Sequence, residues 1–327
     1  MIVVTGAAGF IGSNLVAALN EAGHNDIVAC DRLGSDGKWR NLGKRFFLDL
    51  VPPAEIFEWL GTRTDVSAII HMGANSSTLA TDGDEMIATN FRFSIRLLDW
   101  CTLLAVPLIY ASSASTYGDG RQGFDDDASL TALRKLRPLN LYGWSKHIFD
   151  MVLMKRYEQG AKLPPMCVGL KLFNVFGPNE YHKGPMMSLI SKNFEAVSRG
   201  DSVNLFKSYD PGYADGGQKR DFIYVRDVVD VILWFLRRSK GIGIYNVGTG
   251  TARTFVDLIG AMFDAFGQEH RITYIEMPEQ LRPRYQYFTQ ANLARLRGLG
   301  YERSFTRLEA AVADFVRNHL AEHDHYR

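Results

Sequence analysis

The sequence predicts an α/β fold in which a doubly wound parallel sheet is covered by helices on both faces. Short runs of β-branched residues alternate with segments of helical periodicity through the first half of the chain. The strand-like runs are continuously apolar, as expected for strands that are buried on both faces. A helix-length segment separates each run from the next, which is the spacing of parallel strands joined by crossover helices.

The predicted strands and helices of the first half follow in order along the chain. The strands are IVVTG at 2–6, DIVACD at 26–31, AIIHMGA at 68–74, VPLIYASS at 106–113 and CVGLKLFNV at 167–175. The helical segments between them include Ile11–Ala22, Glu85–Leu104 and Tyr142–Tyr157. Branched side chains favour the strands because they pack well on a pleated surface.

The alternating pattern ends after residue 176 and resumes later. Residues 207–220 are rich in glycine, aspartate and tyrosine and have no periodicity, which is typical of a functional or mobile loop. The segment RDFIYVRDVVDVILWFL at 220–236 then resumes a strand–helix pattern. We therefore predict a main domain of residues 1–176 plus roughly 218–250, and a smaller α/β substrate-binding lobe of residues 177–217 and 251–327.

The composition argues against several classes of partner. Lysine and arginine number 37 against 36 aspartates and glutamates, so the net charge of +1 creates no field that would attract nucleic acid or a membrane. The cysteines Cys30, Cys101 and Cys167 are too far apart for a metal motif and are predicted to be buried thiols of a reducing compartment. We see no signal segment and no apolar run of about 20 residues. We expect a cytoplasmic protein with no metal, nucleic-acid or membrane partner.

A glycine-rich turn between the first strand and the first helix predicts a dinucleotide site. VVTGAAGFIGSNL places Gly6, Gly9 and Gly12 at this turn, where residues without Cβ let the backbone turn tightly and approach a pyrophosphate. The helix N-terminus that follows offers unpaired N–H groups and a partial positive charge. The second strand ends in Asp31, at the spacing of the acid that binds the adenosine ribose. A structural βα turn is the alternative, but the combined features favour a Rossmann-type nucleotide-binding domain.

Two cations beside Asp31 favour NADP over NAD. Arg32 follows the acid directly and can bind a 2′-phosphate through paired hydrogen bonds, and Lys38 can supply a second charge. The alternative is that both are ordinary solvated cations on the surface. Because an arginine near that acid accommodates the 2′-phosphate in such folds, we predict NADP, with NAD as the alternative.

A tyrosine and a lysine on one helix face predict a site that oxidises an alcohol. The sequence LYGWSKHIFD carries Tyr142 and Lys146, whose spacing puts both side chains on one face. A free tyrosine has a pKa of ~10, and an adjacent ammonium with a cationic nicotinamide is expected to lower that pKa so that Tyr142 can act as a base. Ser113 ends a predicted strand, at the sheet edge that holds ligands, and its hydroxyl can bond the reacting oxygen.

These motifs occur in the order found in one enzyme family. They are GxxGxxG at 6–12, HMGA at 71–74, Asn90, Ser113, the Tyr142/Lys146 pair, FNVFGP at 173–178 and RDFIYVRDV at 220–228. Over essentially its whole length the chain resembles the extended short-chain dehydrogenase/reductases that act on nucleotide sugars. The resemblance implies a homo-oligomer, and it places Asp49 and Leu50 beside the adenine. The further cofactor contacts that it implies are Phe10, Ile11, Met72, Gly73, Ala74, Asn75, Ser76, Asn90, Val175 and Lys183.

Within this family, the residues after Ser113 argue against a dehydratase. Nucleotide-sugar dehydratases carry an Asp-Glu pair after the catalytic hydroxyl, because elimination of water needs a further acid and base. Here Ser113 is followed by Ala114, Ser115 and Thr116. No carboxylate stands at that place, so we expect an enzyme that does not eliminate water.

Two segments resemble those of the ADP-L-glycero-D-manno-heptose 6-epimerases, which supply a precursor of lipopolysaccharide. They are the loop Phe176–Met187 and RPRYQYFTQANLARLRGLGY at 282–301. The hydrogen on an alcohol carbon is not acidic, so inversion needs temporary oxidation and return of the same hydride to the other face. One fixed base serves only one epimer well. The resemblance assigns Lys183 as a second acid/base opposite Tyr142; the alternative is that Lys183 only binds a substrate phosphate.

The same resemblance implies a set of ligands for the ADP-linked heptose. They are Ser113, Asn174, Lys192, Phe206, Arg220 and Tyr285. An arginine fork matches two pyrophosphate oxygens, and an aromatic ring suits an adenine. The alternatives are an ion pair of Arg220 with Asp221 or Asp227, and ordinary packing of the two aromatic rings. The chain departs from the heptose epimerases at Met72, where they carry glutamate, and also at Pro185 and Lys192.

The histidines are interpreted as structural. His319, His323 and His325 lie in NHLAEHDHYR, where a frayed polar terminus is favoured over a metal site. His71, in an apolar strand, is expected to be buried with satisfied hydrogen bonds. Two other functions remain as alternatives. One is a different nucleotide-sugar epimerase, such as a UDP-hexose 4-epimerase, and the other is a catalytically idle NADP-sensing protein.

Overall fold

The computed structural model describes residues 1–238, 240–279, 281–282 and 285–327, so that Pro283 and Arg284 of the segment 282–301 lie outside it. The strands are β1 (Ile2–Thr5), β2 (Ile27–Cys30), β3 (Asp49–Val51), β4 (Ala68–His71), β5 (Leu108–Ser113), β6 (Met166–Leu172), β7 (Asn174–Phe176), β8 (Val203–Phe206), β9 (Lys219–Tyr224), β10 (Gly241–Val247), β11 (Ala252–Thr254) and β12 (Ile272–Ile275).

The helices alternate with these strands through most of the chain. They are α1 (Phe10–Glu21), α2 (Ile56–Gly61), α3 (Gly83–Met86), α4 (Phe93–Leu104), α5 (Leu130–Leu133), α6 (Leu141–Glu158), α7 (Leu189–Ser198), α8 (Val225–Arg238), α9 (Phe255–Phe266), α10 (Ala294–Gly298) and α11 (Leu308–Phe315).

The helix predicted over Glu85–Leu104 is interrupted, because a π-helical segment, Ile87–Arg92, joins α3 to α4. Such wider turns are often found near functional sites.

A parallel sheet of seven strands forms the centre of the structure, in the order β10-β6-β5-β4-β1-β2-β3. Every neighbouring pair in it is parallel. The predicted α/β fold with a doubly wound parallel sheet is therefore confirmed. The short outer strand β3 was not predicted, since only three residues form it.

The winding of the chain reverses at β1. From β1 the chain passes outward through β2 and β3, and it then returns to β4 on the opposite side of β1. The carboxyl ends of β1 and β4 therefore flank a crevice, which is where open α/β sheets bind ligands. The register pairs Thr5 with His71, so Gly6 and Met72, the next residues of each strand, lie at this crevice.

Apolar side chains pack on both faces of the large sheet. On one face, Leu15 of α1 and Ile232 of α8 are buried against the strands. On the other face, Leu97 of α4 and Phe149 of α6 are buried. This double coverage explains the continuous apolar runs in the sequence, and it fixes the strand ends from which the site is built.

A second packed region is formed largely by residues after 176. Strand β9 lies between β7 and β11, and β8 pairs with β12. Helices α7, α9 and α11 contribute Ile190, Met262 and Phe315 to the apolar core of this region. The division of the chain into a nucleotide-binding domain and a substrate-binding lobe, with the boundaries given above, stays a prediction.

The C-terminal residues pack against the protein, so the prediction of a frayed terminus is wrong. His319 is buried, with Nε2 3.2 Å from a guanidinium nitrogen of Arg226. The guanidinium of Arg327 donates to Glu21 at 2.9 Å and to the side chain of Asn14 at 3.3 Å. Across the part of the chain that is described, no group of three or more His, Cys, Asp or Glu side chains is placed to hold a metal ion.

The apolar segments of the chain are used for packing. Among the helices of the described ranges, none is both long and apolar enough to cross a membrane. The three cysteines are buried and carry free thiols, in agreement with their predicted burial.

Candidate active site

A cavity of about 710 Å³ lies where β1, β4, β5 and β6 end. This volume is in the range of nucleotide and cofactor sites. Most of the residues predicted for binding or catalysis line it, namely Gly6, Gly9, Phe10, Ile11, Gly12, Asp31, Lys38, Met72, Gly73, Ala74, Asn75, Ser76, Ser113, Tyr142, Lys146, Asn174, Val175, Lys183 and Lys192. Residues from separate parts of the sequence thus converge on one cavity.

The glycine-rich turn leaves no room for side chains where it comes closest to other backbone. Gly6 has a φ of +68°, and a Cβ at this position would lie 2.6 Å from the backbone nitrogen of Gly73. A Cβ on Gly12 would lie 2.0 Å from the carbonyl oxygen of Gly6. Helix α1 begins after Gly9 without a side-chain cap. The turn and the helix N-terminus therefore fit the pyrophosphate of a dinucleotide.

Asp31 is held at the end of β2 by three contacts. Its carboxylate accepts hydrogen bonds from the backbone N–H groups of Ala8 and Arg32, each at 2.8 Å. The ammonium of Lys38 lies 2.8 Å from the same carboxylate and forms an ion pair with it. The Arg32 side chain is exposed and does not line the cavity. The charge of the acid is thus balanced by Lys38 rather than by Arg32.

Helix α6 brings the Tyr142/Lys146 pair to the cavity. The helix begins after Asn140, whose side chain accepts a hydrogen bond from the Gly143 N–H at 2.8 Å. A Cβ on Gly143 would lie 2.7 Å from the carbonyl oxygen of Ser115, so glycine allows the first turn of α6 to approach the end of β5. This close approach puts the pair next to Ser113.

The pKa values of the pair are set mainly by burial. Burial raises the pKa of Tyr142, and a hydrogen bond with Ser113 opposes this effect. Burial lowers the pKa of Lys146 to about 8, although the charge of Asp150 raises it. Desolvation of the phenolate is thus the largest effect on the pKa of Tyr142, and the lowering of that pKa by Lys146 together with a cationic nicotinamide stays a prediction.

Lys183 reaches the same cavity from another part of the chain. It lies in the 3-10 helical segment Tyr181–Met186. Its ammonium is 4.9 Å from the centre of the Phe10 ring and 3.8 Å from the carboxylate of Glu180. Burial lowers the pKa of Lys183, which favours proton exchange near neutrality. Tyr142 and Lys183, which can both exchange protons, thus line the same cavity.

Asn90 lies behind the cavity lining rather than in it. Its side chain accepts a hydrogen bond from the N–H of Asn75 at 2.8 Å and donates to the carbonyl oxygen of the same residue at 2.9 Å. It also donates to the hydroxyl of Ser145 on α6 at 3.0 Å. The side chain of Asn90 therefore fixes the backbone at Asn75, which lines the cavity. Direct contact of Asn90 with the cofactor stays a prediction.

A buried ion pair behind α6 was not predicted. The ammonium of Lys171 lies 3.4 Å from the carboxylate of Asp150, and both side chains are almost fully buried. The hydroxyls of Tyr110 and Ser112 donate to that carboxylate at 2.9 and 2.7 Å. Lys171 also donates to Thr116 at 2.5 Å. This network ties β5, β6 and α6 together directly behind the Tyr142/Lys146 pair.

Three predicted nucleotide ligands lie outside the cavity lining: Phe206, Arg220 and Tyr285. The guanidinium carbon of Arg220 lies 5.6 Å from the ring centre of Phe255 and 5.4 Å from that of Tyr285, and Phe255 itself lines the cavity. The two acids considered as partners of Arg220, Asp221 and Asp227, accept hydrogen bonds from threonines instead. The arginine is therefore held by aromatic rings at the edge of the cavity.

The predicted contacts and the observed cavity lining also differ at several single positions. The predicted contacts Arg32, Asp49 and Leu50 are not part of it, and their roles stay predictions. The carboxylate of Asp49 accepts a hydrogen bond from the Trp59 ring at 3.2 Å. The lining also contains residues that we did not single out as ligands: Asp36, Ser77, Thr78, His182, Met186, Met187, Ser188, Leu189, Phe222, Phe255 and Leu258. Residues 186–189 lie a few positions after Lys183 and could have been inferred from it, whereas Phe255 and Leu258 could not.

The chain is similar to known proteins over its full length. Residues 2–248 match the model of a family described as the NAD dependent epimerase/dehydratase family. The chain is 44% identical over 335 residues to the ADP-L-glycero-D-manno-heptose-6-epimerase of Fusobacterium nucleatum, with 100% of each chain covered. It matches the crystal structure of the Helicobacter pylori ADP-L-glycero-D-manno-heptose-6-epimerase with a TM-score of 0.79 and 25% identity, covering 97% of this chain and 95% of that one. For the Thermus thermophilus UDP-glucose 4-epimerase in complex with NAD, the TM-score is 0.75, the identity 26% and the coverage 97% and 98%.

Proposed function

The chain belongs to the NAD dependent epimerase/dehydratase family, and we propose that it inverts carbon 6 of ADP-glycero-manno-heptose by transient oxidation with a bound NADP. The observation that carries this proposal is the convergence of Tyr142 and Lys183 on one cavity. Inversion through a ketone needs a proton carrier for each of the two hydroxyl orientations, and these residues supply one each. The name of the Fusobacterium relative supports the choice of sugar.

The residues around the glycine turn fit the cofactor. Gly6, Gly9 and Gly12 would accept its pyrophosphate, and Asp31 with Lys38 would hold the adenosine ribose. When bound, NADP⁺ supplies an acceptor that takes up and returns a hydride, and it also supplies a positive charge beside the phenol. The fit rests on the backbone space that only glycine leaves at this turn.

Tyr142 removes the hydroxyl proton from one epimer in this proposal. Ser113, which shares a hydrogen bond with the phenol, orients the oxygen that loses its proton. Burial raises the pKa of Tyr142, so its basic form depends on positive charge nearby. Lys146 is the protein's own cation next to it on the helix face. Its pKa of about 8 leaves it largely protonated at neutral pH.

Lys183 delivers a proton to the oxygen when the ketone presents its other face. In one direction of reaction Tyr142 gains a proton and Lys183 loses one, and the reverse direction exchanges these roles. Both groups return to their starting forms by exchange with solvent. Burial lowers the pKa of Lys183 from its ordinary value, a direction that favours this exchange.

The edge of the cavity offers groups for the ADP part of the substrate. Arg220 can bind pyrophosphate oxygens, and the rings of Phe206 and Tyr285 can stack on the adenine. Asn174 and Lys192, which line the cavity, are proposed to contact the sugar or its phosphates. These assignments follow the resemblance, and the packing of Arg220 against Phe255, which lines the cavity, puts the guanidinium near its edge.

The choice of NADP is supported by the charges around Asp31. The ion pair with Lys38 neutralises that carboxylate, so a 2′-phosphate nearby is not repelled. The exposed Arg32 follows directly and is free to turn toward such a phosphate. NAD, which is bound in the Thermus thermophilus structure, is the alternative cofactor.

The proposal also includes the setting of the reaction. The three free, buried cysteines fit a reducing compartment such as the cytoplasm. A homo-oligomer is proposed from the resemblance alone. With this substrate, the product would serve as a precursor for the core of lipopolysaccharide.

Substrate conversion by the purified protein tests the proposal. The protein, with its own nicotinamide cofactor, is incubated separately with each carbon-6 epimer of ADP-glycero-manno-heptose and with UDP-glucose and UDP-galactose, and NMR follows the products. We expect both heptose epimers to reach one common mixture while the UDP-hexoses stay unchanged. Conversion of the UDP-hexoses alone would identify a 4-epimerase, and a protein that binds NADP but converts neither would be an idle sensor.

A further inference from the structure

Glu180 is a fully buried carboxylate beside Lys183. Its side chain is 0% exposed, and one carboxylate oxygen lies 3.8 Å from the ammonium. It accepts hydrogen bonds from the N–H of Ser188 at 2.9 Å, from the hydroxyl of Ser188 at 2.5 Å and from the hydroxyl of Ser191 at 2.7 Å. A buried carboxylate is costly unless it is bonded and paired with a cation. The serines supply the hydrogen bonds, and Lys183 supplies the cation.

The backbone around this carboxylate is fixed on both sides. Asn179 has a φ of +72° and donates its amide to the Ser13 hydroxyl at 3.0 Å, and its side-chain oxygen accepts from the Arg327 N–H at 2.9 Å. Tyr181 donates its hydroxyl to the carbonyl oxygen of His325 at 2.8 Å. Residues of α1 and of the C-terminal segment thus restrain both chain neighbours of the acid. The carboxylate therefore has a defined position relative to the cavity.

The distance between the two charges is itself informative. At 3.8 Å the ammonium of Lys183 and the carboxylate of Glu180 attract each other, but they are farther apart than in an ordinary hydrogen bond. Both oxygens of the carboxylate are already bonded to Ser188 or Ser191. The ammonium is consequently held near the acid without being fully engaged by it, and its donors remain available to the cavity.

We propose that Glu180 is the positioning residue for Lys183: it holds the ammonium at the cavity wall and stabilises the protonated form of this side chain. The inference rests on the proposed function, which makes Lys183 the second proton carrier. Glu180 acts through Lys183 and does not itself contact the substrate.

The charges that face Lys183 give the direction of the effect. Burial lowers its pKa, Glu180 raises it and Lys192 of α7 lowers it. The Lys192 ammonium donates to the Pro185 carbonyl oxygen at 2.5 Å. Burial also lowers the pKa of the neighbouring His182, which favours its neutral form and reduces the positive charge that it adds beside Lys183. The charged groups that face His182 in turn are Lys38, Asp36, Lys183 and Asp31. Without the charge of Glu180, burial and Lys192 act in the same direction, so Lys183 loses its proton more readily.

The dependence of kcat/KM on pH tests this inference in Glu180→Gln. In the direction in which Lys183 donates a proton, its deprotonation limits the rate at alkaline pH. In the opposite direction it must accept a proton, and its protonation limits the rate at acid pH. We expect both the acid limb and the alkaline limb of the pH–rate profile to lie at lower pH in the variant than in wild type. At the pH where the wild-type alkaline limb is half lost, the variant should be about fivefold slower than wild type.

A labelling measurement tests the same inference without turnover. Only the neutral amine of a lysine reacts with trinitrobenzenesulfonate, so the pH dependence of labelling at Lys183, followed by peptide mass spectrometry, reports its proton loss. We expect Lys183 in Glu180→Gln to be labelled at lower pH than in wild type. If the protein converts no heptose but this shift occurs, the proposed function fails while the link between Glu180 and Lys183 stands.

Two further variants control for folding and for general loss of charge. Glu195→Gln makes the same chemical change at an exposed side chain of α7, which pairs with Arg199 at 3.7 Å, and should leave both limbs in place. Glu180→Asp keeps the negative charge but moves it farther from Lys183, because the aspartate side chain is shorter. It should therefore shift both limbs in the same direction as Glu180→Gln does, but by a smaller amount. It also provides the test if Glu180→Gln does not fold, as judged by thermal melting. Unchanged limbs and unchanged labelling in a folded Glu180 variant would overturn the inference and leave the acid as a link between the loop and α7.

Discussion

His71 links two walls of the cavity and must stay neutral to do so. Its Nδ1 lies 2.6 Å from Oγ1 of Thr5, and its Nε2 lies 2.8 Å from the hydroxyl of Ser94. The Thr5 hydroxyl accepts the N–H of Gly73 at 3.2 Å, and the Ser94 hydroxyl donates to the carbonyl oxygen of Asn90 at 2.6 Å. These directions assign Nδ1 as an acceptor and Nε2 as a donor. A second ring proton would face the Thr5 hydroxyl and break this chain of bonds.

The cost of protonating His71 follows from its surroundings. Burial, and then the charge of Lys146, lowers the pKa of His71 from 6.5 to about 3. Below pH 6.5 the unfolded chain binds a proton that the folded chain does not, so stability is lost as the pH falls from 6.5 toward about 3. Each pH unit within this window corresponds to about 1.4 kcal/mol. At pH 5 the loss attributable to His71 is therefore about 2 kcal/mol.

Urea unfolding of wild type and His71→Gln at pH 7.5 and pH 5 measures this loss. Glutamine can accept and donate hydrogen bonds but does not titrate. We expect wild type to lose about 2 kcal/mol more than His71→Gln between the two pH values. His24→Gln, which changes an exposed histidine, should lose as much as wild type. Equal losses in wild type and His71→Gln would refute the reasoning, because His71 would then take up its proton without unfolding.

Three further predictions concern catalysis, cofactor choice and the buried ion pair. Tyr142→Phe and Lys183→Met should each slow epimerisation by about 10²–10⁴-fold, the usual range for a lost acid or base, while NADP stays bound; near-normal turnover by Lys183→Met would make the lysine only a phosphate contact. Arg32→Ala should weaken NADP binding far more than NAD binding in fluorescence titrations, and equal weakening would contradict the choice of NADP. Lys171→Met should lower the free energy of unfolding by about 3–5 kcal/mol, since it leaves the charge of Asp150 buried without its ion-pair partner. Adding Asp150→Asn should recover part of that loss, and no recovery would mean that the unpaired charge is not its cause.

The parts of the site that depend on neighbouring residues were predictable from the sequence. Gly12 is required by a contact within a single turn, since a Cβ there would meet the carbonyl oxygen of Gly6, and the φ of +68° at Gly6 itself favours glycine. Tyr142 and Lys146 share a face because one helical turn separates them. Asp31 follows β2, whose register with β1 brings it beside the glycine turn. Short-range geometry of this kind needs no knowledge of the tertiary structure.

Burial and long-range pairing could not be predicted in the same way. A lysine or glutamate is exposed in most proteins, so nothing local indicated that Lys171 and Glu180 are buried. The pairing of Lys171 with Asp150 requires the packing of β6 against α6, and the bond between Arg327 and Asn179 joins distant parts of the chain. The same gap applies to Tyr142, because sequence spacing reveals a nearby ammonium but not the burial that raises the pKa of the phenol.

The central claim is that the hydrogen on carbon 6 leaves and returns without exchange with water, and isotope labelling tests it most directly. One heptose epimer is brought to equilibrium in deuterium oxide by the protein with its bound cofactor, and NMR and mass spectrometry examine carbon 6. Because the proposed roles of Tyr142 and Lys183 concern only the proton on oxygen, we expect no deuterium on that carbon in either epimer. Deuterium on carbon 6 at equilibrium would contradict the claim, since it would show removal of the carbon-bound hydrogen as a proton.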